Sequence, residues 1–399
     1  MINNDQALRK IVRHAYETVP FYQRLMDGDA VPEPVEIDKL PIVDKGCMAG
    51  FGDSMLSSGY IGKYIGKQLS WTRTSGSSGI LHEVYWDDED ERKSLKSLWL
   101  LRKKYYGISP RQKLCYFFPS DMETDKYMET ECVLAVSRSA LYDGSMEEAY
   151  QKIRQYRPDW MILQPSIALL LCRLAEEDGI WDNLRYIEFT GEYLELPLRH
   201  RVEAVFGCRT ANQYGTKEVN SIAYECPEGN MHVMSDNVYL ETAGENLCVT
   251  SLRNYAMPFV RYRLDDRGEI SRGVSCACGR CGDILTLRTG RSDDFIKLAD
   301  GGVMHAYALM QIVQHVNYQY EGCIMQYQII QKDYDHFVFK LVLVEDECKE
   351  EMKEILPQMI ARGVNQRMNV DCETDVWFEE EIFPEEKTGK CRIFRTEVA

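Results

Sequence analysis

A short segment rich in glycine and hydroxyl residues is the first candidate for chemistry in this sequence. Thr74–Gly79 reads TSGSSG and lies between the aromatic residues Trp71 and Trp86. Glycines let a ligand approach the backbone closely, and free N–H groups with Ser and Thr hydroxyls form a concavity that binds phosphate. A flexible linker has the same composition, but the short length and the apolar flanks favour a turn between two strands. The segment lacks the G-x-x-x-x-G-K-[ST] pattern of a P-loop.

A second candidate segment, QYGTKE, ends with the carboxylate of Glu218. The ring of Tyr214 can stack on a base while Glu218 holds Mg²⁺, an ion usually bound by one or two carboxylates together with phosphates. A plain turn followed by a helix with an acidic first residue explains the same pattern. For the segment taken alone, the plain turn is the favoured interpretation.

Three further segments place charged residues that a nucleotide would need. RYRLDD supplies Asp266, whose carboxylate can accept hydrogen bonds from ribose hydroxyls, and GRSDDFIK supplies Arg291. EEKTGKCRIFR places Lys390 on a turn that contains glycine. Each segment taken alone is explained equally well as a solvated charged turn or a helix cap.

Cysteine and histidine residues in two segments have the ligand types of a zinc site. YECPEGNMH supplies Cys226 and His232, and the glycine-rich CACGR supplies Cys276 and Cys278. Three sulfurs and one imidazole make a closed tetrahedral Zn²⁺ site of the structural kind. Free thiols on turns are the alternative interpretation, and Cys281 could take the place of Cys278.

Alternating strands and helices are predicted to position several of these residues. Strands are indicated by WMILQ, LRYIEFTG and RTANQYG, and helices that end at glycine by SIALLLCRLAEEDG and LPLRHRVEAVFG. This alternation predicts βαβ units with a parallel sheet, and ligands bind such sheets at the carboxyl ends of their strands. TGE and QYGTKE fall at those ends.

The fold class that we predict is α/β with two domains. Residues 1–290 form a large domain with mixed and parallel sheets, and residues 291–399 form a small α+β domain. The small domain contains a hairpin with its turn at Lys332–His336, the helix CKEEMKEILPQMIARG and the strand VDCETDVWFEEEI. Upstream, DDEDERKSLKSLWLLRKKYYG has acidic residues at its start and basic residues at its end, which predicts a helix that stops at Gly107.

Composition limits the partners of this 399-residue chain. Its formal net charge of −16 argues against nucleic acid as a main partner, because duplex binding needs a basic surface. No run approaches the ~18 uninterrupted apolar residues of a membrane helix, and the first residues lack the pattern of a signal peptide. We therefore expect a cytoplasmic protein that binds neither nucleic acid nor a membrane.

The order of these segments, from TSGSSG through TGE, QYGTKE, RYRLDD and GRSDD to TGK, resembles the adenylate-forming ligases. RHAYETVPFYQRL, DKLPIVDK, YECPEGNMHV and CACGR resemble the phenylacetate–CoA ligase and CapK-like branch in particular. The resemblance runs nearly from end to end. It implies an enzyme that uses ATP to convert a carboxylic acid to an acyl-adenylate, releases pyrophosphate and passes the acyl group to CoA as a thioester.

The resemblance also implies roles for individual residues. The serine- and glycine-rich loop would bind the β- and γ-phosphates, Glu218 would bind Mg²⁺, and Lys390 would reach the α-phosphate and the carboxylate. The ribose would be bound by Asp266 with Arg291, adenine by the GE and NQY segments, and Asp293 would be the hinge on which the small domain rotates. The implied nucleotide-binding residues are Thr74, Ser75, Gly76, Ser77, Ser78, Gly79, Gly191, Glu192, Asn212, Gln213, Tyr214, Gly215, Thr216, Asp266 and Arg291.

The chain departs from the family pattern at Lys217, since many members have a threonine before the metal-binding glutamate. Either Lys217 contacts the α-phosphate and acts as a catalytic residue, or Thr216 supplies the missing hydroxyl. For the cysteine cluster, the resemblance implies a structural zinc ion that holds a loop beside the active site.

Several alternatives concern the substrates. The acceptor thiol is CoA or the phosphopantetheine arm of a carrier protein, and transfer of AMP to an acceptor without a thioester is a third reading. A degenerate binding protein is a fourth, although Glu218, Asp266 and Lys390 argue against it. An aryl or arylacetic acid substrate and a homodimer are expected from the family alone.

Overall fold

The computed structural model describes most of the chain. The described residues are 2–25, 35–48, 52–73, 83–118, 125–141, 146–178, 181–291, 294–320, 322–345, 348–385 and 390–398. Packing divides the chain into two compact units, each made of two segments. Unit 1 comprises Met1–Ser109 and Ala211–Arg288, and unit 2 comprises Pro110–Thr210 and Thr289–Ala399. The predicted domain boundary between residues 290 and 291 stays a prediction.

Helices and strands are numbered here in chain order. The described helices are α1 (Ile2–Thr18), α2 (Pro20–Leu25), α3 (Lys45–Met48), α4 (Ile61–Ile65), α5 (Asp88–Tyr106), α6 (Met146–Tyr156), α7 (Pro165–Asp178), α8 (Leu196–Phe206), α9 (Tyr307–Gln319) and α10 (Lys349–Met368). The described strands are β1 (Ser70–Arg73), β2 (Glu83–Trp86), β3 (Leu114–Phe118), β4 (Tyr127–Glu129), β5 (Val133–Ser137), β6 (Trp160–Leu163), β7 (Tyr186–Phe189), β8 (Arg209–Thr216), β9 (Asn220–Glu225), β10 (Met231–Val233), β11 (Val238–Ala243), β12 (Asn246–Ser251), β13 (Tyr262–Ser275), β14 (Cys281–Arg291), β15 (Phe295–Lys297), β16 (Val303–His305), β17 (Ile324–Asp333), β18 (His336–Leu343), β19 (Glu373–Phe378) and β20 (Phe394–Thr396).

Unit 1 is built on strands in the order β8-β9-β10-β14-β13-β12-β11. The pairs β8–β9, β9–β10, β10–β14, β11–β12 and β12–β13 are antiparallel. The N-terminal helix packs into the core of this unit, where Ile11, Val12 and Ala15 are fully buried. The buried hydroxyl of Tyr22 donates to the carbonyl of Pro258 at 3.2 Å and accepts from the backbone N–H of residue 260 at 2.9 Å. The start of the chain is therefore held by residues more than 230 positions later.

The first segment of unit 2 contains the predicted parallel sheet. Its strands run in the order β7-β6-β3-β5-β4, and only the pair β4–β5 among these is antiparallel. α7 and α8 follow β6 and β7, as the alternating sequence pattern predicted. α7 carries a run of buried apolar residues from Ile167 to Cys172, so its position against the sheet follows from the burial of apolar surface. This part of the predicted fold is confirmed.

The second segment of unit 2 forms a small α+β arrangement. Its sheet has the order β19-β18-β17-β20, with an antiparallel β17–β18 hairpin and parallel pairs on both sides of it. α9 and α10 pack closely, since a Cβ atom on Gly363 of α10 would lie 3.0 Å from the Ile312 side chain of α9. The predicted fold class, α/β with a small C-terminal α+β part, is confirmed.

Capping residues set both ends of α5. The Asp87 carboxylate accepts a hydrogen bond from the backbone N–H of Glu89 and caps the helix, and Gly107 ends it in the left-handed conformation with φ of 70°. These are the residue types that such positions favour.

Across the described parts of the chain, every helix is too short or too polar to traverse a lipid bilayer.

Candidate functional site

The hairpin of β8 and β9 presents the QYGTKE segment. A Cβ atom on Gly215 would lie 2.3 Å from the backbone oxygen of Asn220 on the opposite strand, so this close approach requires glycine. Lys217 and Glu218 lie in the turn that joins the two strands. The backbone carbonyl of Lys217 accepts a hydrogen bond from the indole N–H of Trp86 at 3.3 Å. The turn is thus fixed from outside the hairpin.

Glu218 is a buried carboxylate with a defined partner. Glu218 is 5% exposed. Its Oε1 accepts a hydrogen bond from the hydroxyl of Tyr262 at 3.1 Å. Burial, and after it the negative charge of Glu218, raises the pKa of Tyr262, so the hydroxyl stays a neutral donor. One hydrogen bond uses one of roughly four acceptor positions of a carboxylate. Oxygen ligands of this kind suit Mg²⁺.

Asp266 lies on the same strand as Tyr262 and contacts the same hairpin. The hydroxyl of Tyr214 donates to Asp266 Oδ2 at 2.8 Å. β13 thus carries two side chains, Tyr262 and Asp266, that are hydrogen-bonded to residues of the QYGTKE segment. Within unit 1 the structure therefore brings together three predicted residues, Tyr214, Glu218 and Asp266.

Three other predicted residues, Asn212, Gln213 and Thr216, also lie on β8. The N–H of Asn212 donates to the buried carboxylate of Glu225 at 2.6 Å, and Gln213 is paired with Tyr224. The hydroxyl of Thr216 is buried without a hydrogen-bond partner among the described residues. A buried hydroxyl without a partner is costly, so this atom is a natural contact for a ligand.

Two further predicted residues, Glu192 and Lys390, lie in unit 2. Gly191 has φ of 83° and turns the chain after β7, which places Glu192 beside the start of α7. The Glu192 carboxylate accepts hydrogen bonds from the N–H and hydroxyl of Ser166 at 3.0 and 2.9 Å and from the N–H of Cys391 at 2.9 Å. Burial raises the pKa of Glu192, and these hydrogen bonds and the positive charge of Lys390 oppose that rise.

Several predicted residues lie outside the described parts of the chain. These are the whole Thr74–Gly79 segment and the hinge residue Asp293, and the side chain of Arg291 is likewise outside the description. The strands on either side of Thr74–Gly79 are described, and β1 pairs antiparallel with β2. The two flanking strands are therefore present as predicted, and the turn between them stays a prediction.

The predicted zinc ligands meet in unit 1, where two turns carry the cysteines and β10 carries His232. The Cys226 and Cys276 sulfurs are 3.8 Å apart, and the Cys278 sulfur is 3.3 Å from Nε2 of His232. All four donor atoms lie within 4.8 Å of one another. A tetrahedral ion with Zn–S bonds of about 2.3 Å places its sulfur ligands about 3.8 Å apart. The donor set and its spacing therefore fit zinc.

The two turns that carry these cysteines have the same backbone pattern. In each, a glycine N–H donates to the carbonyl of the cysteine three residues earlier: Gly229 to Cys226 at 2.9 Å and Gly279 to Cys276 at 3.0 Å. Both glycines have positive φ. Cys281 is exposed, and its sulfur lies beside the carbonyl of residue 273 at 3.7 Å. The structure thus groups Cys278, and not Cys281, with the other three residues.

The surroundings of the cluster affect its protonation. Burial raises the pKa of the Cys226 thiol to about 11. Burial also acts to raise the pKa of Cys278, but hydrogen bonds from the Arg280 N–H and the Tyr105 hydroxyl outweigh it, and that pKa is lowered. Burial, followed by the charges of Arg280 and Lys104, lowers the pKa of His232. A neutral imidazole and a thiolate are the forms that bind a metal.

Sequence reasoning missed a partly buried acidic residue, Glu195, just after the GE segment. Glu195 Oε1 is buried without a hydrogen-bond partner among the described residues, as is the hydroxyl of Tyr327. Burial raises the pKa of Glu195 to about 7. The charge of Glu195 contributes to the raised pKa values of Tyr193 and Tyr327. No motif could have indicated this residue, because its surroundings come from β17, more than 120 positions away.

Comparison with known proteins agrees with this architecture. Residues 297–397 match the CapK_C family, described as the CapK C-terminal domain. Phenylacetate-coenzyme A ligase of Pseudomonas putida is 32% identical over 172 residues, which cover 38% of this chain and 38% of that protein. The phenylacetate-coenzyme A ligase of Escherichia coli (strain K12) is 24% identical over 79% of this chain and 77% of that protein.

Solved structures extend the likeness to the whole chain. A 2-hydroxyisobutyryl-CoA ligase in its postadenylation state, in complex with R3-HIB-AMP, gives a TM-score of 0.71 at 16% identity, covering 99% of this chain and 89% of the other. This chain has the fold of the adenylate-forming ligases. The resemblance to these ligases, and to their phenylacetate–CoA ligase and CapK-like branch, is confirmed.

Proposed function

We propose that this adenylate-forming ligase relative uses ATP to convert a small carboxylic acid to its acyl-adenylate, and then transfers the acyl group to CoA. The observation that carries the proposal is the joint placement of Tyr214, Glu218 and Asp266 around β13. These are the residues that the family resemblance assigns to adenine, Mg²⁺ and ribose. Relatives named phenylacetate-coenzyme A ligase, and structures of a CoA ligase with an acyl-AMP, support the same chemistry.

In the first step a carboxylate oxygen of the acid attacks the α-phosphorus of ATP, and the bond from that phosphorus to pyrophosphate breaks. Two anions must approach each other, so catalysis depends on positioning and on neutralisation of charge. Mg²⁺ held by Glu218 would supply part of the positive charge. Lys390 would supply another part at the α-phosphate and the carboxylate, and no covalent bond to the protein is needed.

Other residues of both units would contact the nucleotide. The hydroxyl of Thr216 would donate to a phosphate, which gives this buried and unpartnered group a role. Lys217 lies next to it in the turn and would contact the α-phosphate. Asp266 and Arg291 would hold the ribose, and the Thr74–Gly79 loop the β- and γ-phosphates.

In the second step the thiol sulfur attacks the acyl carbonyl carbon, and AMP leaves. We propose that the C-terminal residues 291–399 rotate about Asp293 between the two steps, which would withdraw Lys390 once adenylation is complete. An aryl or arylacetic acid is the substrate class that the phenylacetate-named relatives support. The cytoplasmic location and the homodimer expected from the sequence stay predictions.

We further propose that Cys226, His232, Cys276 and Cys278 hold one structural zinc ion. Three sulfurs and a neutral imidazole at these separations support it. The ion would join the turn after β9 to the turn before β14, two segments about 50 residues apart in the chain. All four positions are taken by protein, so the ion would stabilise the fold and take no part in the reaction.

An ATP–pyrophosphate exchange screen tests the proposed function. Aryl, arylacetic, fatty and amino acids are supplied one class at a time, and AMP release is then followed with and without CoA. We expect exchange with one acid class and AMP release that rises with CoA. Exchange without a response to CoA would move the acceptor to a carrier protein, and pyrophosphate release without free AMP would indicate adenylyl transfer.

A matched pair of variants makes the screen specific to the site. Glu218→Gln removes the proposed metal ligand and should abolish exchange at any ATP concentration. Glu354→Gln makes the same change on the exposed side of α10 and should leave exchange unaltered. Equal exchange in the two variants, or none with any acid in the unaltered protein, would contradict the proposal.

A further inference from the structure

The turn that carries Lys390 is held by side chains from a distant part of unit 2. The backbone N–H of Cys391, the residue directly after Lys390, donates to Glu192 Oε1 at 2.9 Å. The same oxygen accepts the hydroxyl of Ser166 at 2.9 Å, and Oε2 accepts the Ser166 N–H at 3.0 Å. Three donors therefore converge on one carboxylate, and one of them belongs to the lysine turn.

A second set of contacts supports the same turn from its other side. The side chain of Gln326, on β17, donates to the carbonyl of Ile382 at 2.9 Å and accepts from its N–H at 3.2 Å. It also donates to the sulfur of Cys391 at 3.4 Å. The N–H of Glu385 donates to the carbonyl of Lys390 at 3.0 Å. The chain on both sides of the lysine is thus pinned by hydrogen bonds.

An ion pair joins the same two parts of the chain. Nη1 of Arg173, on α7, lies 3.1 Å from Oε2 of Glu381. Ile382, the next residue, is 7% exposed and belongs to the same apolar core as the parallel sheet. The segment that leads to Lys390 is therefore packed against α7, whose first turn contains Ser166.

We propose that Glu192 is the positioning residue for Lys390: its carboxylate holds the lysine turn in the pose that serves adenylation. This rests on the proposed function, and it gives Glu192 a different task from the adenine contact that the family resemblance implies. The charge of the carboxylate matters, since it accepts three hydrogen bonds and faces the positive charge of Lys390. When the C-terminal segment rotates, the bond to Cys391 must break.

Glu192→Gln is the test variant. Glutamine has no negative charge, and its NH₂ group must replace one of the two accepting oxygens. The hydrogen bond from the Cys391 N–H is therefore either lost or reduced to a weaker bond between neutral groups. With the adenylation half-reaction followed by pyrophosphate exchange, we expect kcat to fall about tenfold or more, the effect of losing one hydrogen bond to a charged group. KM for ATP and thioester formation from supplied acyl-adenylate should stay within about twofold.

The opposite pattern identifies the other role. If Glu192 contacts adenine, both half-reactions bind that base, so KM for ATP rises and thioester formation falls as far as exchange does. That result would overturn the proposal. Arg173→Gln, which breaks the other tie to the same segment, should reproduce the selective loss of adenylation to a smaller extent. Arg157→Gln removes an ion pair to Asp182 within the first segment of unit 2 and should change neither half-reaction.

We call the hydrogen bond between the Glu192 carboxylate and the Cys391 N–H the latch, and amide hydrogen exchange tests it without any reaction. In the full chain without ligands, Glu192→Gln should speed amide exchange in peptides covering residues 390–398 about tenfold or more, and leave exchange in β18 unchanged. Unaltered protection at residues 390–398 would refute the latch even if the enzyme is active. If no acid supports adenylation, the proposed function fails while this measurement still decides the latch. Should Glu192→Gln not fold, Arg173→Gln gives the same readout.

Discussion

Glu195→Gln is the change whose effect on stability can be worked out most directly from the structure. Burial raises the pKa of Glu195 from its ordinary value of 4.5 to about 7, and Oε1 has no hydrogen-bond partner among the described residues. The folded protein therefore holds a proton on this group that the unfolded chain releases between pH 4.5 and 7. Wherever the folded state binds more protons, stability falls as pH rises.

The size of the effect follows from the same two values. A tenfold change in an equilibrium constant is about 1.4 kcal/mol, so ionised Glu195 costs the folded state about 3 kcal/mol above pH 8. The cost is about 2 kcal/mol at pH 6 and vanishes below about pH 4. Glutamine has nearly the same shape and cannot ionise. Glu195→Gln should therefore be more stable than the unaltered protein by these amounts.

Urea unfolding of both proteins at pH 5, 6, 7 and 8 measures the difference. Glu354→Gln is the control for the loss of one surface charge, since Glu354 lies exposed on α10. The stability advantage of Glu195→Gln should grow with pH and reach its plateau near pH 8, while the control shows no such growth. An advantage that is independent of pH, or a loss of stability at pH 8, would refute the argument that the folded protein holds a proton on Glu195.

Three further predictions concern the site. Protein purified without chelator should contain one zinc per chain and Cys276→Ser much less; well under one zinc in the unaltered protein would exclude the metal centre. Lys390→Ala should abolish adenylate formation and largely spare thioester formation from supplied acyl-adenylate, and an equal loss of both would mean that Lys390 serves both poses. Gly215→Ala should lower the free energy of unfolding by about 1–3 kcal/mol, because its Cβ would lie 2.3 Å from the oxygen of Asn220; unchanged urea unfolding would contradict the hairpin geometry.

The parts of the fold that sequence predicted are those set by local pattern. The alternation from WMILQ to RTANQYG corresponds to β6, α7, β7, α8 and β8, and the hairpin turn at residues 332–336 lies between β17 and β18. The predicted end of the helix CKEEMKEILPQMIARG at Gly363 is wrong. α10 continues past Gly363 to Met368, because that glycine lets α9 approach closely and does not end the helix.

Some residues of the candidate site could be predicted from local sequence, and others could not. Tyr214, Glu218 and Asp266 stand in recognisable segments, and the zinc ligands have recognisable residue types. Glu195 and Ser166 do not, because their importance comes from partners that lie far away in the chain. Cys391 lies directly after the predicted lysine, but its contribution is a backbone N–H, which no side-chain pattern can show.

The contact between Tyr22 and residues near Pro258 has a consequence for how the chain is made. Those residues are 236 positions apart, and at a synthesis rate of about 5–20 residues per second the second follows the first by roughly 10–50 s. Throughout that time the Tyr22 side chain is without the backbone groups that it contacts in the folded protein. The parallel sheet of residues 110–210 draws its strands from about 100 consecutive residues, so it can form in the meantime. Residues 110–210 can thus fold on the ribosome before the N-terminal helices reach their final contacts.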